Sequence, residues 1–310
     1  MDQSFKTMVV VNPNSSNGRT GKQWDPIHEA LKEKLGTFDF VMTEERGHAT
    51  PLTAQALSDG YEMIVSLGGD GTHNEVVNGL FTPDGPVNPD VVLAPVTSGT
   101  GGDFRKTLGV DKGPFAAIDR LGGEDTRRID VGRFAYLDHE GVQKVAHFVN
   151  ILSFGIGGLV DHMVNTTTKV LGGKTSFFIA TLRALARFRA QEVTLTLDDG
   201  EPFTTTIHNV AVANGQYFGG GMQVAPDAQP DDGLFDVVSF ENMSTMQFMG
   251  MGSSIYKGTH VQDKNVRVRR ARKLVAQSPD PAVLLDVDGE QLGVLPITIE
   301  NLEKALRLKG

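Results

Sequence analysis

The stretch Ser-Leu-Gly-Gly-Asp-Gly-Thr-His-Asn-Glu-Val-Val-Asn-Gly at 66–79 constrains this chain more than any other. The apolar run Met63, Ile64 and Val65 ahead of it reads as a buried strand ending at Gly68. Gly68, Gly69 and Gly71 then let the backbone turn tightly and approach a ligand with no Cβ in the way. Thr72 and Glu75 have capping-box spacing, which predicts a helix starting at Thr72. Strand, glycine turn and helix N-terminus together aim unpaired N–H groups at one point, where a phosphate is favoured. Asp70 is the odd member. A carboxylate beside a phosphate is repelled unless a cation lies between them, so the pattern implies Mg²⁺ as well as nucleotide. The G-x-G-x-x-G dinucleotide fingerprint fails, because Thr72, His73 and Asn74 leave its third glycine missing. An ordinary βα turn with a flexible glycine cluster is the plainer alternative.

At 310 residues the chain has room for two domains, each with its own core. Hydrophobic residues at 39% against 22% charged fit a soluble globular protein. Zero cysteines excludes disulfides and thiolate zinc sites, and suits a reducing cytoplasm. The N-terminus lacks a signal pattern, and no stretch reaches the roughly 18 apolar residues of a spanning helix. A net charge of −9 argues against nucleic acid as a partner and against attraction of the whole surface to an anionic membrane. Any such contact needs a local basic patch.

Up to about residue 126, strand and helix signals alternate: apolar runs at 8–11, 38–41, 63–65 and 91–94 are each followed by a helical pattern. This rhythm predicts an α/β domain with a doubly wound parallel sheet, whose ligands collect beyond the carboxyl ends of the strands. From 127 the texture becomes β-rich, with runs at 134–137, 145–152, 193–197, 204–213, 235–240, 265–269 and 284–287. Helical segments interrupt them near 170–190 and 243–256. The expectation is a nucleotide domain over 1–126 and a mostly antiparallel β domain over 127–310, with the extreme C-terminus free to pack back on the first.

Several constellations carry chemistry. The loop Asn12, Pro13, Asn14, Ser15 to Lys22 resembles a Walker A loop but fails it, having Ser16 for a glycine and Gln23 after the lysine. It holds phosphate through backbone N–H groups and Lys22, or it is a hydrated connection. A second glycine turn comprises Thr97, Ser98, Gly99, Thr100, Gly101, Gly102 and Asp103, with Thr100 and Asp103 again at capping-box spacing. Asp103 reads first as a helix cap, and with Asp70 it also suits Mg²⁺ held through water; Asp130 is a weaker acidic candidate. Asp286, Asp288 and Glu290 fall on one side if their strand continues, whereas Asp288-Gly289 alternatively forms a β-turn. The oxygen-rich turn at Asp231-Asp232-Gly233 suits a hard cation or plain solvation, and the glycines at 155, 157 and 158 read as close backbone packing. Between Lys169 and Arg189 five basic and no acidic residues interleave with apolar ones, giving a helix that lies on an anionic bilayer or packs on the core. The basic run 267–273 adds to that surface or forms a charged edge strand.

Six of these elements in order resemble the diacylglycerol kinase catalytic-domain family, which includes bacterial lipid kinases and the sphingosine and ceramide kinases. They are Val-Asn-Pro-x-Ser at 11–15, the motif at 68–79, Ser-Gly-Thr-x-x-Asp-Phe at 98–104, Ile-Asp-Val-Gly at 129–132, Asp-Asp-Gly-x-Phe-Asp at 231–236 and Asp-Gly-Glu at 288–290. The resemblance covers nearly the whole chain. It implies an NAD-kinase/phosphofructokinase-like first domain and an ATP- and Mg²⁺-dependent lipid kinase of the cytoplasm that visits the membrane surface for its lipid substrate. It places ATP on Asn12, Pro13, Asn14, Ser15, Lys22, Gly68, Gly69, Asp70, Gly71, Thr72, Glu75, Thr97, Ser98, Gly99, Thr100 and Asp103. It puts Mg²⁺ at Asp70, with Asp103 and Asp130 joining through water, and a structural Mg²⁺ near Gln229, Asp232 and Leu234. Asp288 is then the general base, oriented by Glu290. In the sphingosine kinases the residue matching Asp70 has also been assigned as base, so those two roles exchange. Gly102 departs from the family, which usually has asparagine there. An NAD kinase-like enzyme, a catalytically silent lipid- or nucleotide-binding regulator, and a homodimer stay open.

Overall fold

The computed structural model describes residues 5–98, 102–110, 112–122, 125–158, 188–280 and 283–309. In strand β1 (Thr7–Val11), Val9, Val10 and Val11 are all fully buried, which requires a layer on each face. β1 pairs in parallel with β2 (Asp39–Met42) and β3 (Met63–Gly68), and β3 pairs in parallel with β4 (Val92–Thr97). Two layers of helices follow from the period of two. Val10, Ile64 and Leu93 pack with α3 (Ala49–Ser58) and α4 (Asp70–Leu80). Val9, Val65 and Ala94 face the other way, toward α2 (Trp24–Leu35) and α6 (Pro114–Asp119). The first unit is therefore the doubly wound α/β layer expected, with α1 (Ser15–Lys22) after β1 and α5 (Asp103–Thr107) after β4.

The second unit is mostly antiparallel. Its strands are β5 (Thr126–Leu137), β6 (Gln143–Phe148), β7 (Ile151–Gly155), β8 (Gln191–Leu197), β9 (Phe203–Ala213), β10 (Phe235–Glu241), β11 (Val266–Ala271), β12 (Lys273–Gln277), β13 (Leu285–Val287) and β14 (Val294–Lys309). The order β11-β10-β9-β8-β12-β14-β4-β3-β1-β2 makes one continuous sheet of both units. β14 joins them: it pairs antiparallel with β5 and β12, and its last residues Arg307 and Leu308 pair in parallel with β4. Phe134, Phe148, Phe154 and Phe235 fill the second core.

Three local expectations need correcting. Gly69 is extended and caps α4, so the helix begins at Asp70, two residues earlier than the Thr72–Glu75 spacing suggests. The segment 243–256 is two short helices, α7 (Thr245–Gly250) and α8 (Gly252–Tyr256). Asp288 and Gly289 both have positive φ and Glu290 N–H donates to the Val287 carbonyl, so the Asp-Gly pair is a tight hairpin turn. That turn breaks the one-sided array of Asp286, Asp288 and Glu290. The glycines at 155, 157 and 158 are packing positions, since a Cβ at Gly155 would lie 2.6 Å from the His208 carbonyl oxygen. β11, with its arginines, is an edge strand. The basic segment 169–189 lies outside the described residues except for its last two.

Candidate active site

β1, β3 and β4 end side by side, and the three following loops are cross-linked by their own polar side chains. Asn12 Nδ2 donates to Thr72 Oγ1 at 2.9 Å, tying the first loop to the start of α4. Thr20 Oγ1 lies 2.6 Å from Ser15 Oγ and 2.7 Å from Ser98 Oγ, and Ser98 N–H donates to the Gly68 carbonyl. Ser16 and Asn17 inside α1 stand in the left-handed region, where each costs roughly 1–2 kcal/mol, a strain that marks functional loops. Gly68 is required by space: a Cβ there would sit 2.5 Å from Thr72 Cβ.

These loops border a cavity of about 380 Å³. Of the residues expected at nucleotide, Asn12, Asn14, Ser15, Gly69, Gly71, Thr72 and Glu75 line it. Pro13, Gly68, Thr97 and Ser98 stand behind as the frame, and Gly99 and Thr100 lie outside the described residues. Lys22 is exposed at the end of α1 and does not border the cavity. Glu75 turns away from Thr72. Its carboxylate accepts from Gly47 N–H (2.8 Å) and Ala49 N–H (3.1 Å), fixing the loop between β2 and α3. A larger hollow of about 500 Å³ lies under α7 and α8, away from these acids.

Asp70 uses its two oxygens differently. Oδ2 accepts from Gly102 N–H at 3.0 Å and Asp103 N–H at 3.1 Å, while Oδ1 is buried with no hydrogen-bond partner. A buried anionic oxygen left open in this way suits a cation, so Asp70 fits the Mg²⁺ role. Gly102, where the family usually has asparagine, has a positive φ and donates its backbone N–H to Asp70. Asp103 does not cap its helix. Its carboxylate pairs with Lys106 Nζ (2.6 Å) and accepts from Gly220 N–H (2.7 Å), fastening the loop after β9 to the first unit.

Asp130 is fully buried, and its oxygens accept from Lys304 N–H and Gly233 N–H, each at 2.7 Å. Burial pushes its pKa up, and the two amides oppose that rise. It knots the bulge of β14 to the loop before β10. Asp232 accepts from Leu234 N–H at 3.1 Å and pairs with Arg270. A guanidinium thus supplies the positive charge beside Asp232, and Gln229 is exposed nearby in the chain. Burial lifts Asp236 to about 6, with Arg270 working against it. Among the described residues no cluster of three or more His, Cys, Asp or Glu forms a metal cage.

Asp288, on the turn after β13, reaches the first unit. Its Oδ2 accepts from Asn74 Nδ2 (2.9 Å) on α4, and its Oδ1 from Ile151 N–H (2.9 Å). Burial lifts its pKa to about 7. The donors Ile151, Asn74 and Val149 hold it down, while the charge of Asp70 raises it further. Among the described residues, no hydrogen bond joins the side chains of Glu290 and Asp288. Glu290 pairs with Arg46 and lies against Gly71. Asn74, which lies within the motif at 68–79, and Arg46, which lies in none, join the candidate site although neither was expected there. Asn74 was legible, since Asp70, Asn74 and Asn78 recur every four residues and so form one stripe of α4. Asn78 continues the stripe: its Nδ2 and Asn74 Nδ2 both donate to the His147 carbonyl.

Residues 6–134 match the model of the diacylglycerol kinase catalytic domain, and 150–310 match that of the YegS C-terminal NAD kinase beta sandwich-like domain. A diacylglycerol kinase of Mycobacterium tuberculosis is 27% identical over 304 residues, spanning 98% of this chain and 94% of that protein. The crystal structure of a diacylglycerol kinase from Bacillus anthracis superposes with a TM-score of 0.74 at 22% identity, covering 100% of this chain and 98% of the other. Yeast NADH kinase in complex with NADH gives a TM-score of 0.51 at 11% identity, covering 99% and 83%, so the fold is shared with that kinase as well.

Proposed function

We propose that this chain, which belongs to the diacylglycerol kinase family, transfers the γ-phosphate of ATP to the hydroxyl of a diacylglycerol-like lipid at the membrane surface. One observation carries the reading: the Asp288 carboxylate, from the second unit, is held by Asn74, one turn along the helix from Asp70. This bond supports a reading in which the proton acceptor works beside the loop that receives the phosphates.

In the reaction, the N–H groups around Gly69 and Gly71 and the Asn12 loop receive the phosphates. Asp70, with its unpartnered Oδ1, would hold Mg²⁺, and the ion would supply neutralisation of charge on the phosphates. Asp288 accepts the proton of the lipid hydroxyl as its oxygen bonds to the γ-phosphorus; the bond to the β–γ bridging oxygen breaks and ADP leaves. A pKa near 7 suits a base that works at neutral pH. The enzyme works from the cytoplasm as a peripheral membrane protein; no helix of the described residues is long and apolar enough to cross a bilayer.

The test is ATP turnover against micellar diacylglycerol, monoacylglycerol, phosphatidylglycerol and sphingoid base, with NAD in a separate arm, comparing wild type with D288N. Lipid-dependent ADP release that D288N abolishes is expected. Turnover only with NAD would replace the lipid reading by a nicotinamide one.

A further inference from the structure

A tightly held polyphosphate calls for positive charge, yet the lysine of the first loop does not border the cavity. Among the described residues lining the cavity, Glu45, Glu75 and Glu290 are acidic and Arg46 is the one cation. Arg46 sits on the loop between β2 and α3, whose place is fixed at both ends. Thr43 N–H donates to the Val11 carbonyl at 2.8 Å, and Gly47 N–H to Glu75 at 2.8 Å. The guanidinium is 61% exposed and paired with Glu290 from the other unit.

The place of Glu290 is telling. A Cβ on Gly71 would come within 3.1 Å of Glu290 Oε1, so this carboxylate lies over the first turn of the eleven-residue helix α4. That is where the dipole and free N–H groups favour an anion. An internal carboxylate bridging a helix N-terminus and an arginine, at the mouth of a cavity, is arranged as a phosphate group would be.

The geometry points to Arg46 as the phosphate-binding cation of this enzyme, with Glu290 as a built-in anion that occupies its guanidinium until nucleotide displaces it. The inference rests on the kinase reading and deepens it. ATP binding exchanges the Arg46–Glu290 pair for a charge-assisted, bidentate contact with phosphate, and frees the end of the Asp288 turn at the moment nucleotide is in place. Nucleotide should therefore bind before lipid.

Titration calorimetry with MgATP and no lipid tests this on wild type, R46M, R46K, E290Q and R46M/E290Q. R46M is expected to weaken binding by about tenfold or more, the scale of a hydrogen bond to a charged group, and R46K to restore part of it. E290Q should tighten ATP about two- to fivefold, the scale of a partly exposed ion pair, and that gain should vanish in the R46M background. With lipid present, R46M should raise KM for ATP and leave KM for lipid unchanged. R46M binding MgATP as wild type does, with unchanged circular dichroism, overturns the proposal alone. So does an E290Q gain that persists in R46M, which is plain repulsion between acids. Wild type that binds no MgATP overturns the kinase reading, and the proposal with it.

Discussion

The turn after β3 and the turn after β13 each carry an aspartate, and the two side chains stand in different surroundings. Asp70 spends one oxygen on two amides and keeps the other buried and open. Asp288 has both oxygens covered by donors and a pKa lifted to about 7 by burial. The first environment asks for a cation and the second for a proton. On the proposed reading, two identical side chains would take a metal role and a base role from their surroundings alone.

The sharpest way to break this contrast is to exchange each acid for its amide. D288N should lower kcat by about 10²–10⁴-fold, the usual worth of a general base, with MgATP affinity retained; steady-state kinetics and calorimetry together check this. D70N keeps an oxygen for the Gly102 and Asp103 amides. It should raise the Mg²⁺ concentration for half-maximal rate by at least about tenfold, a scale that even outer partners of metal sites reach. If D70N loses rate at all Mg²⁺ concentrations while D288N changes only the Mg²⁺ requirement, the two roles are exchanged.

Smaller effects sharpen the Asp288 side. Removing its donor with N74A should move the rising limb of the pH–rate profile, centred near 7 in wild type, to higher pH. For every pH unit that the limb moves, the ionised base at a given pH on it falls about tenfold. Stability should carry the same signature. The folded-state pKa of Asp288, about 7, lies above the ordinary value of about 3.9, so the folded protein holds a proton there that the unfolded chain has released. The stability this confers is full below pH ~4, falls as pH rises to about 7, and is flat above. Denaturant midpoints of wild type relative to D288N should decline over that window. The smallest effect belongs to K22A, which should change KM for ATP by less than about twofold, since Lys22 is exposed away from the cavity.

Much of the first unit was legible because its signals are local. The run Met63–Gly68, the glycines behind it and the apolar spacing of α4 each depend on residues a few positions apart. The Thr72–Glu75 spacing misled because capping-box chemistry was available to two structures. Gly69 caps the helix instead, and Glu75 is more useful to the neighbouring loop, where Gly47 and Ala49 offer N–H groups that would otherwise be unpaired. The turn at Asp288 was half legible: an Asp-Gly pair announces a hairpin, but nothing local says what the aspartate then meets. Arg46 left no sequence signal at all, as a single arginine in a loop is ordinary.

By itself the sequence determined the parallel layer, the β-rich second unit and the glycine turn with its aspartate, because periodicity and glycine act over a few residues. Only the tertiary structure decided what each acid meets. The bond from Asn74 to Asp288 spans 214 positions, and the pair Arg46–Glu290 likewise joins the two units. Burial, orphaned oxygens and shifted pKa values arise where distant segments exclude water together, and no local pattern encodes that meeting.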